Sequence, residues 1–342
     1  MLRKQLLRTS ALVAAASIST AAVADVKVSG YQEWNYLDAG ASFKSTLGAL
    51  TGLTFSGSGD MDNGIGYSVK YTFEGGDEAG HAVTFDLGNN LKLGIGYDQS
   101  YGIETVKAIS PYVNNRRAHI TGAHRGFPTA ARKPLGPDVW DTSSLENAIG
   151  LSFKNDLAAI SFGFTPVRDV NTSTDEIAAS SATSSEYGTA SSIGVKLTPV
   201  DGLTIGFGTS SEESDATANS DPKGTTIGFQ YKIGSFAIGY QEIENELDDT
   251  TTQRVTTTEI QEGGVAYKVN DALTIGVYAA NMDYVTVAST TDNGVETGMG
   301  IVQIGYNLGP AVIQYDYADG SDLNGTKDTE YEIHKLKVKV NF

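Results

Sequence analysis

Between Lys107 and Lys133 the chain places six basic residues, Lys107, Arg116, Arg117, Arg125, Arg132 and Lys133, with no acid among them. Acids return only at the ends of this stretch, as Glu104 before it and Asp138, Asp141 and Glu146 after it. Guanidinium and ammonium groups gathered this way bind or steer anions, and arginine suits phosphate and carboxylate in particular. Catalysis needs a positioned constellation, and none stands out. His119 and His124 lie among the bases, five residues apart, without a metal-ligand spacing, and the chain has no cysteine. Thiolate metal sites and cysteine nucleophiles are therefore excluded. The expectation is no enzyme, no metal and no cofactor.

A second basic set sits where a strand must position it. Lys335 to Phe342 read KLKVKVNF. Leu336, Val338, Val340 and Phe342 share one face of a strand, and Lys335, Lys337 and Lys339 share the other. One face wants hydrocarbon and the other water. A lysine at the lipid midplane of a membrane barrel costs about 2–4 kcal/mol, so these three point into a wet interior. The same parity puts Lys27, Lys70 and Lys92 on the water side.

The elements that carry these residues follow from periodicity. Alternation of apolar with small or polar residues, as in Leu93, Ile95 and Tyr97 or Ile313, Tyr315 and Tyr317, marks strands. Strands are expected at 26–37, 50–59, 64–73, 82–88, 91–99, 147–154, 157–165, 191–198, 203–210, 224–232, 235–244, 257–268, 272–282, 297–307, 311–318 and 329–342. The connections alternate short and long, with long ones at 38–49, 74–81, 100–146, 166–190, 211–223, 245–256, 283–296 and 319–328. All eight prolines, Pro111, Pro128, Pro134, Pro137, Pro166, Pro199, Pro222 and Pro310, are expected in connections, because proline breaks a central ladder. This pattern defines an all-β, up-and-down antiparallel barrel with tight turns at one rim and loops at the other. A soluble sandwich would not need loops that alternate in length.

Residues 1–24 read as a secretory signal: Arg3, Lys4 and Arg8, then apolar residues from Ala11 to Ala22, then Ala22-Val23-Ala24 before Asp25. The barrel is then expected over 25–342. Beyond the signal no apolar run reaches the length of a membrane helix. The chain holds 24 Lys and Arg against 41 Asp and Glu, a net charge of −17. Removing the three bases of the signal, which carries no acid, takes this to about −20, which argues against a nucleic-acid partner.

Taken together, the signal ending AVA, sixteen strands, the terminal Phe342 and a longest loop after the fifth strand resemble the general diffusion porins of Gram-negative outer membranes. The resemblance implies a 16-stranded transmembrane β-barrel with short periplasmic turns, long extracellular loops and a third loop, 100–146, folded into the pore. It also implies passage of small hydrophilic solutes, a homotrimer in lipid and lipopolysaccharide, and an outer-membrane assembly machinery that reads Phe342. In that family the third loop is usually acidic and faces a basic wall. This loop is basic, which points to a channel for small anionic or neutral solutes. Two other readings stay open: a substrate-selective porin using Tyr101, Tyr112, Phe127 and Trp140, and an acidic surface or adhesion protein of the envelope. The basic loop could also stay outside and hold lipopolysaccharide phosphates.

Overall fold

The computed structural model describes residues 26–38, 45–97, 101–106, 109, 148–165, 189–212, 223–249, 254–287, 296–321 and 330–342. The alternating stretches form sixteen strands. In the first half these are β1 (Lys27–Asp38), β2 (Thr46–Asp60), β3 (Gly66–Glu74), β4 (Asp77–Gly88), β5 (Leu91–Tyr97), β6 (Ala148–Lys154), β7 (Ala158–Thr165) and β8 (Ala190–Val200). In the second half they are β9 (Leu203–Glu212), β10 (Lys223–Ile233), β11 (Phe236–Asp249), β12 (Arg254–Lys268), β13 (Leu273–Val287), β14 (Thr297–Leu308), β15 (Ala311–Ser321) and β16 (Glu330–Asn341). Each strand pairs antiparallel with its neighbours in sequence, and β1 pairs with β16, so the sheet closes. Closure leaves no edge, which is what a bilayer demands of a β structure.

The closed sheet has a greasy outside. Phe162, Phe207, Phe229, Ile238, Val277 and Leu336 are all exposed on the outer face, where a soluble protein would bury them. Aromatic side chains ring the short-turn end on the same face, and the rings of Phe236 and Tyr267 lie 4.6 Å apart across β11 and β12. Such girdles sit at membrane interfaces. The inner face is largely polar or small, with Ser161, Ser192, Gln241, Asn245 and Gln303 buried on it beside the apolar Ile243, Ile260 and Ile301.

Phe342 completes the ring. Its backbone N–H donates to the Gly30 carbonyl at 2.9 Å, and Gly30 N–H donates to the Phe342 carbonyl at 2.8 Å. The Phe342 ring lies over Gly30, where a β-carbon would come within 2.8 Å of it. At the tight rim, Asn89 and Asn90 close β4 to β5 with φ of 51° and 66°, the paired positive values of a type I′ hairpin turn.

Two expectations need correction. The connection 74–81 is not a long loop. β3 and β4 continue to Glu74 and Asp77, leaving only Gly75 and Gly76 between them. Both glycines have positive φ, 64° and 98°, so Gly-Gly makes a two-residue hairpin on the long-loop rim. Pro199 is not in a connection but inside the last turn-ward residues of β8. The ladder to β9 shifts register between Leu197 and Val200, and a bulge tolerates the missing donor. Several strands also run longer than alternation indicates, β2 from Thr46 and β13 to Val287.

Candidate pore constriction

The third loop begins on the inside of the barrel. After β5 a short 3₁₀ segment, Gly102–Val106, turns onto the inner wall. Gly102 N–H donates to Ser161 Oγ of β7 at 2.9 Å, and Ile103 N–H to Ser192 Oγ of β8 at 3.4 Å. Further on, Ile109 N–H donates to Gln241 Oε1 of β11 at 3.1 Å. Gln241 Nε2 donates to the Val106 carbonyl at 3.0 Å and to Thr226 Oγ1 at 2.8 Å, and Gln230 Nε2 of β10 donates to the Ile109 carbonyl at 2.9 Å. The segment thus crosses the wall from β5 to β11, fastened by side chains of four strands.

Glycine clears its path. A β-carbon on Gly150 would stand 2.1 Å from the Tyr101 ring, and one on Gly206 would stand 1.8 Å from Ile109. Ile103 and Val106 are wholly buried in this groove. Burial pushes the Tyr101 phenol above its ordinary range, against the pull of a hydrogen bond with Thr84. Glu104 lies on the 3₁₀ segment, half-buried. Lys107, Arg116, Arg117, Arg125, Arg132, Lys133 and Asp138 lie outside the described residues, as do Tyr112, Phe127 and Trp140.

β16 stands eight strands from β8 in a ring of sixteen, so the strand-16 lysines face the seated loop across the lumen. Lys337 Nζ lies 3.5 Å from Glu33 Oε2, with both side chains nearly buried. Asn35 Nδ2 donates to the other Glu33 oxygen at 2.8 Å. Lys339 Nζ sits 3.6 Å above the Tyr31 ring, a cation–π contact. The Tyr31 hydroxyl in turn donates to Glu74. Lys335 is the register partner of buried Asp316, and Gln303 Nε2 donates to Asp316 Oδ1 at 3.4 Å.

The other wall lysines are placed apart from these. Lys27 does not join the strand-16 group. It lies six residues along β1 from Glu33, the register partner of Lys339, or about 20 Å. Lys27 and Lys70 instead flank Ser56 from β1 and β3. Lys92 is on β5, between Asp86 and Ser152 at the short-turn end, on the side of the barrel that holds the loop.

Sequence reasoning missed the acids of the wall. Glu33 shares parity with Lys27 on β1, so alternation alone could have placed it inward. Asp316 could have been found the same way from Gln314. Nothing local marks Gln241 or Ser192 as loop anchors, because they meet residues more than eighty positions away.

A closed barrel with a largely polar interior, an apolar exterior and a loop whose first residues are seated within the lumen has the architecture of a passive channel across a membrane. The chain belongs to the Gram-negative porin family, whose model matches residues 9–323. It is therefore an outer-membrane channel for passive diffusion and not an enzyme. No curated protein sequence matches it. Solved structures share the fold at low identity. A refined porin structure is 16% identical, covering 93% of this chain and 100% of that one, with a TM-score of 0.64. An anion-selective porin from Comamonas acidovorans is 13% identical, with coverage of 93% and 100% and a TM-score of 0.64. In-vitro folded OmpT of Vibrio cholerae, in a trimer form, is 13% identical, with coverage of 93% and 99% and a TM-score of 0.62.

Proposed function

We propose that this porin passes small anions in preference to cations. The observation that carries the reading is the seat of the third loop: its first residues are tied to the inner wall from β7 to β11. A loop that enters the lumen here brings Arg116, Arg117, Arg125, Arg132 and Lys133 with it. Across the lumen, Lys335, Lys337 and Lys339 outnumber Glu33 and Asp316. Charges act over about 8 Å at physiological salt, so groups at a narrow constriction outweigh acids on distant loops. Small phosphates and organic acids are the solutes that such a ring favours.

The same reading takes the assembly to be a homotrimer in lipid and lipopolysaccharide, with Phe342 as the residue recognised during outer-membrane insertion. A trimer form among proteins of this fold supports the first point, and the exposed ring of Phe342 at the closing strand supports the second. The test of selectivity is the reversal potential of the purified channel in a planar bilayer under a salt gradient. An anion-selective value is expected, moving toward zero when Arg116, Arg117 and Arg125 are neutralised together. A cation-selective wild type, or a value untouched by the triple variant, overturns the proposal.

A further inference from the structure

Two lysines flank one small residue on the inner wall, on the short-turn side of the loop's seat. Lys154 of β6 and Lys196 of β8 are both cross-strand partners of Ala159 on β7. Their parity is inward. Gly150, four residues before Lys154, underlies the Tyr101 ring, and Gly194, two residues before Lys196, lies against the Gly102 carbonyl. Neighbouring strands are about 4.8 Å apart, so the two α-carbons stand about 10 Å from each other. Long, flexible stems let both ammonium groups reach one small anion between them.

The surroundings form a shelf. Ala159 leaves its floor open. Ser152 and Ser161 are register partners one step further in, and Ser161 Oγ holds the Gly102 N–H at 2.9 Å, which brings the 3₁₀ segment over that edge. Lys154 ends its strand at a pinned turn, where Asn155 Oδ1 accepts from the N–H groups of Leu157 and Ala158 at 3.0 and 2.8 Å. Lys196 is half-buried and Lys154 exposed. Among the described residues neither lysine forms an ion pair. Asp156 and Asp201 belong to the turns beyond β6 and β8. Lys92, diagonal to Lys154 through Ser152, adds a third base, with Asp86 across from it on β4. The Asp86 carboxylate accepts from the Gly88 N–H.

Two ammonium groups on one shelf with no acid between them repel each other. Chloride, with one charge, offsets only one of them. A divalent oxyanion offsets both and presents several oxygens to their N–H donors and to the serine hydroxyls. We propose that Lys154 and Lys196 form a binding site for a phosphate-type divalent oxyanion on the short-turn side of the constriction. The inference names a substrate class for the anion preference proposed above and takes its transport role from that reading, whereas the site itself stands on the wall alone.

The test records chloride current through single channels in a planar bilayer while inorganic phosphate is added to both sides at about pH 8, where phosphate is mostly divalent. The current is expected to fall saturably. The half-blocking concentration should rise about tenfold in K154Q and in K196Q, and no further in the double variant, because either loss breaks the bridge. Absence of a saturable block, or a block that the single variants leave unchanged, overturns the site. So do additive effects, which describe two separate surface charges. A second measurement uses the unaltered protein and does not depend on any variant folding. Phosphate should slow acetylation of Lys154 and Lys196 in the folded, detergent-solubilised porin, read by mass spectrometry, while Lys268, held by Asp271 at 2.8 Å, keeps its rate. Equal rates with and without phosphate, or the same slowing at all three, overturn the proposal. A cation-selective reversal potential with the phosphate block intact would refute the anion preference and leave the site standing; an anion-selective channel without the block would do the reverse.

Discussion

Replacing Gln241 with leucine tests whether the loop is held to the wall as described. The side chain is fully buried and bridges two main-chain groups of the loop. Leucine keeps most of the volume but offers neither donor nor acceptor. The Ile109 N–H and the Val106 carbonyl then lose their partners, at about 1–3 kcal/mol for each group left buried. Water in the lumen can reach the released groups, so the lower end applies. About 2 kcal/mol in all weakens attachment roughly 30-fold. The barrel ladder does not use these bonds, so the temperature at which the folded barrel converts to the unfolded band on gels should hold. The assay is limited trypsin digestion of the folded porin, with cleavage at Arg116, Arg117, Arg125 and Arg132 followed by mass spectrometry. Gln230→Leu provides a graded comparison: it removes one bond from a half-buried side chain, worth about 1 kcal/mol or fivefold. Cleavage of Gln241→Leu at the wild-type rate, with the barrel intact, would refute the anchoring argument.

Other predictions follow from the wall, the seat and the closing strand. Glu33→Gln removes the partner of Lys337 and should shift the bilayer reversal potential further toward anions; a shift toward cations would contradict the pairing at 3.5 Å. Raising the pH should loosen the loop, because Tyr101 holds its proton more tightly when seated than when free. Attachment is then at full strength below the ordinary tyrosine value of about 10 and weakens as pH climbs past it. Single-channel closures should hold steady up to about pH 10 and become more frequent above it, and Tyr101→Phe should abolish that trend. Gly30→Ala sets a β-carbon 2.8 Å from both the Phe342 ring and the Gly52 carbonyl. The overpacking should cost about 1–3 kcal/mol, seen as a lower yield of folded barrel in detergent refolding.

Much of the fold was readable from alternation, because the inside and outside of a membrane barrel differ so sharply in solvent. Strand 16 shows this best: three lysines on one face and four apolar residues on the other leave a single orientation. Errors fell where periodicity carries no information. Gly75-Gly76 looks like part of a longer polar loop, and only its paired positive φ values reveal a hairpin. Pro199 looks like a terminator, and only the β8–β9 register shows the bulge that admits it. The basic character of the third loop was visible in composition. Its path was not, because Ser161, Ser192 and Gln241 are brought to residues 102–109 by closure of the cylinder and not by any local pattern.

The wall acids change how the channel's charge must be counted. A net charge of −17 for the whole chain suggests a cation channel, and the strand-16 lysines alone suggest the reverse. Neither count is the relevant one. Glu33 touches Lys337, and Asp316 is across from Lys335, so each acid lies well within the screening length of about 8 Å from a lysine. Two of the three strand-16 lysines are therefore offset locally, and Lys339 is spread over the Tyr31 ring. On the proposed reading, preference then falls mainly to the loop, where Arg116 to Lys133 carry five bases without an acid in their own segment. It follows that neutralising Lys335 and Lys337 together should move the reversal potential less than neutralising Arg116 and Arg117, although both remove two charges. The opposite ranking in the bilayer would return the selectivity filter to the wall.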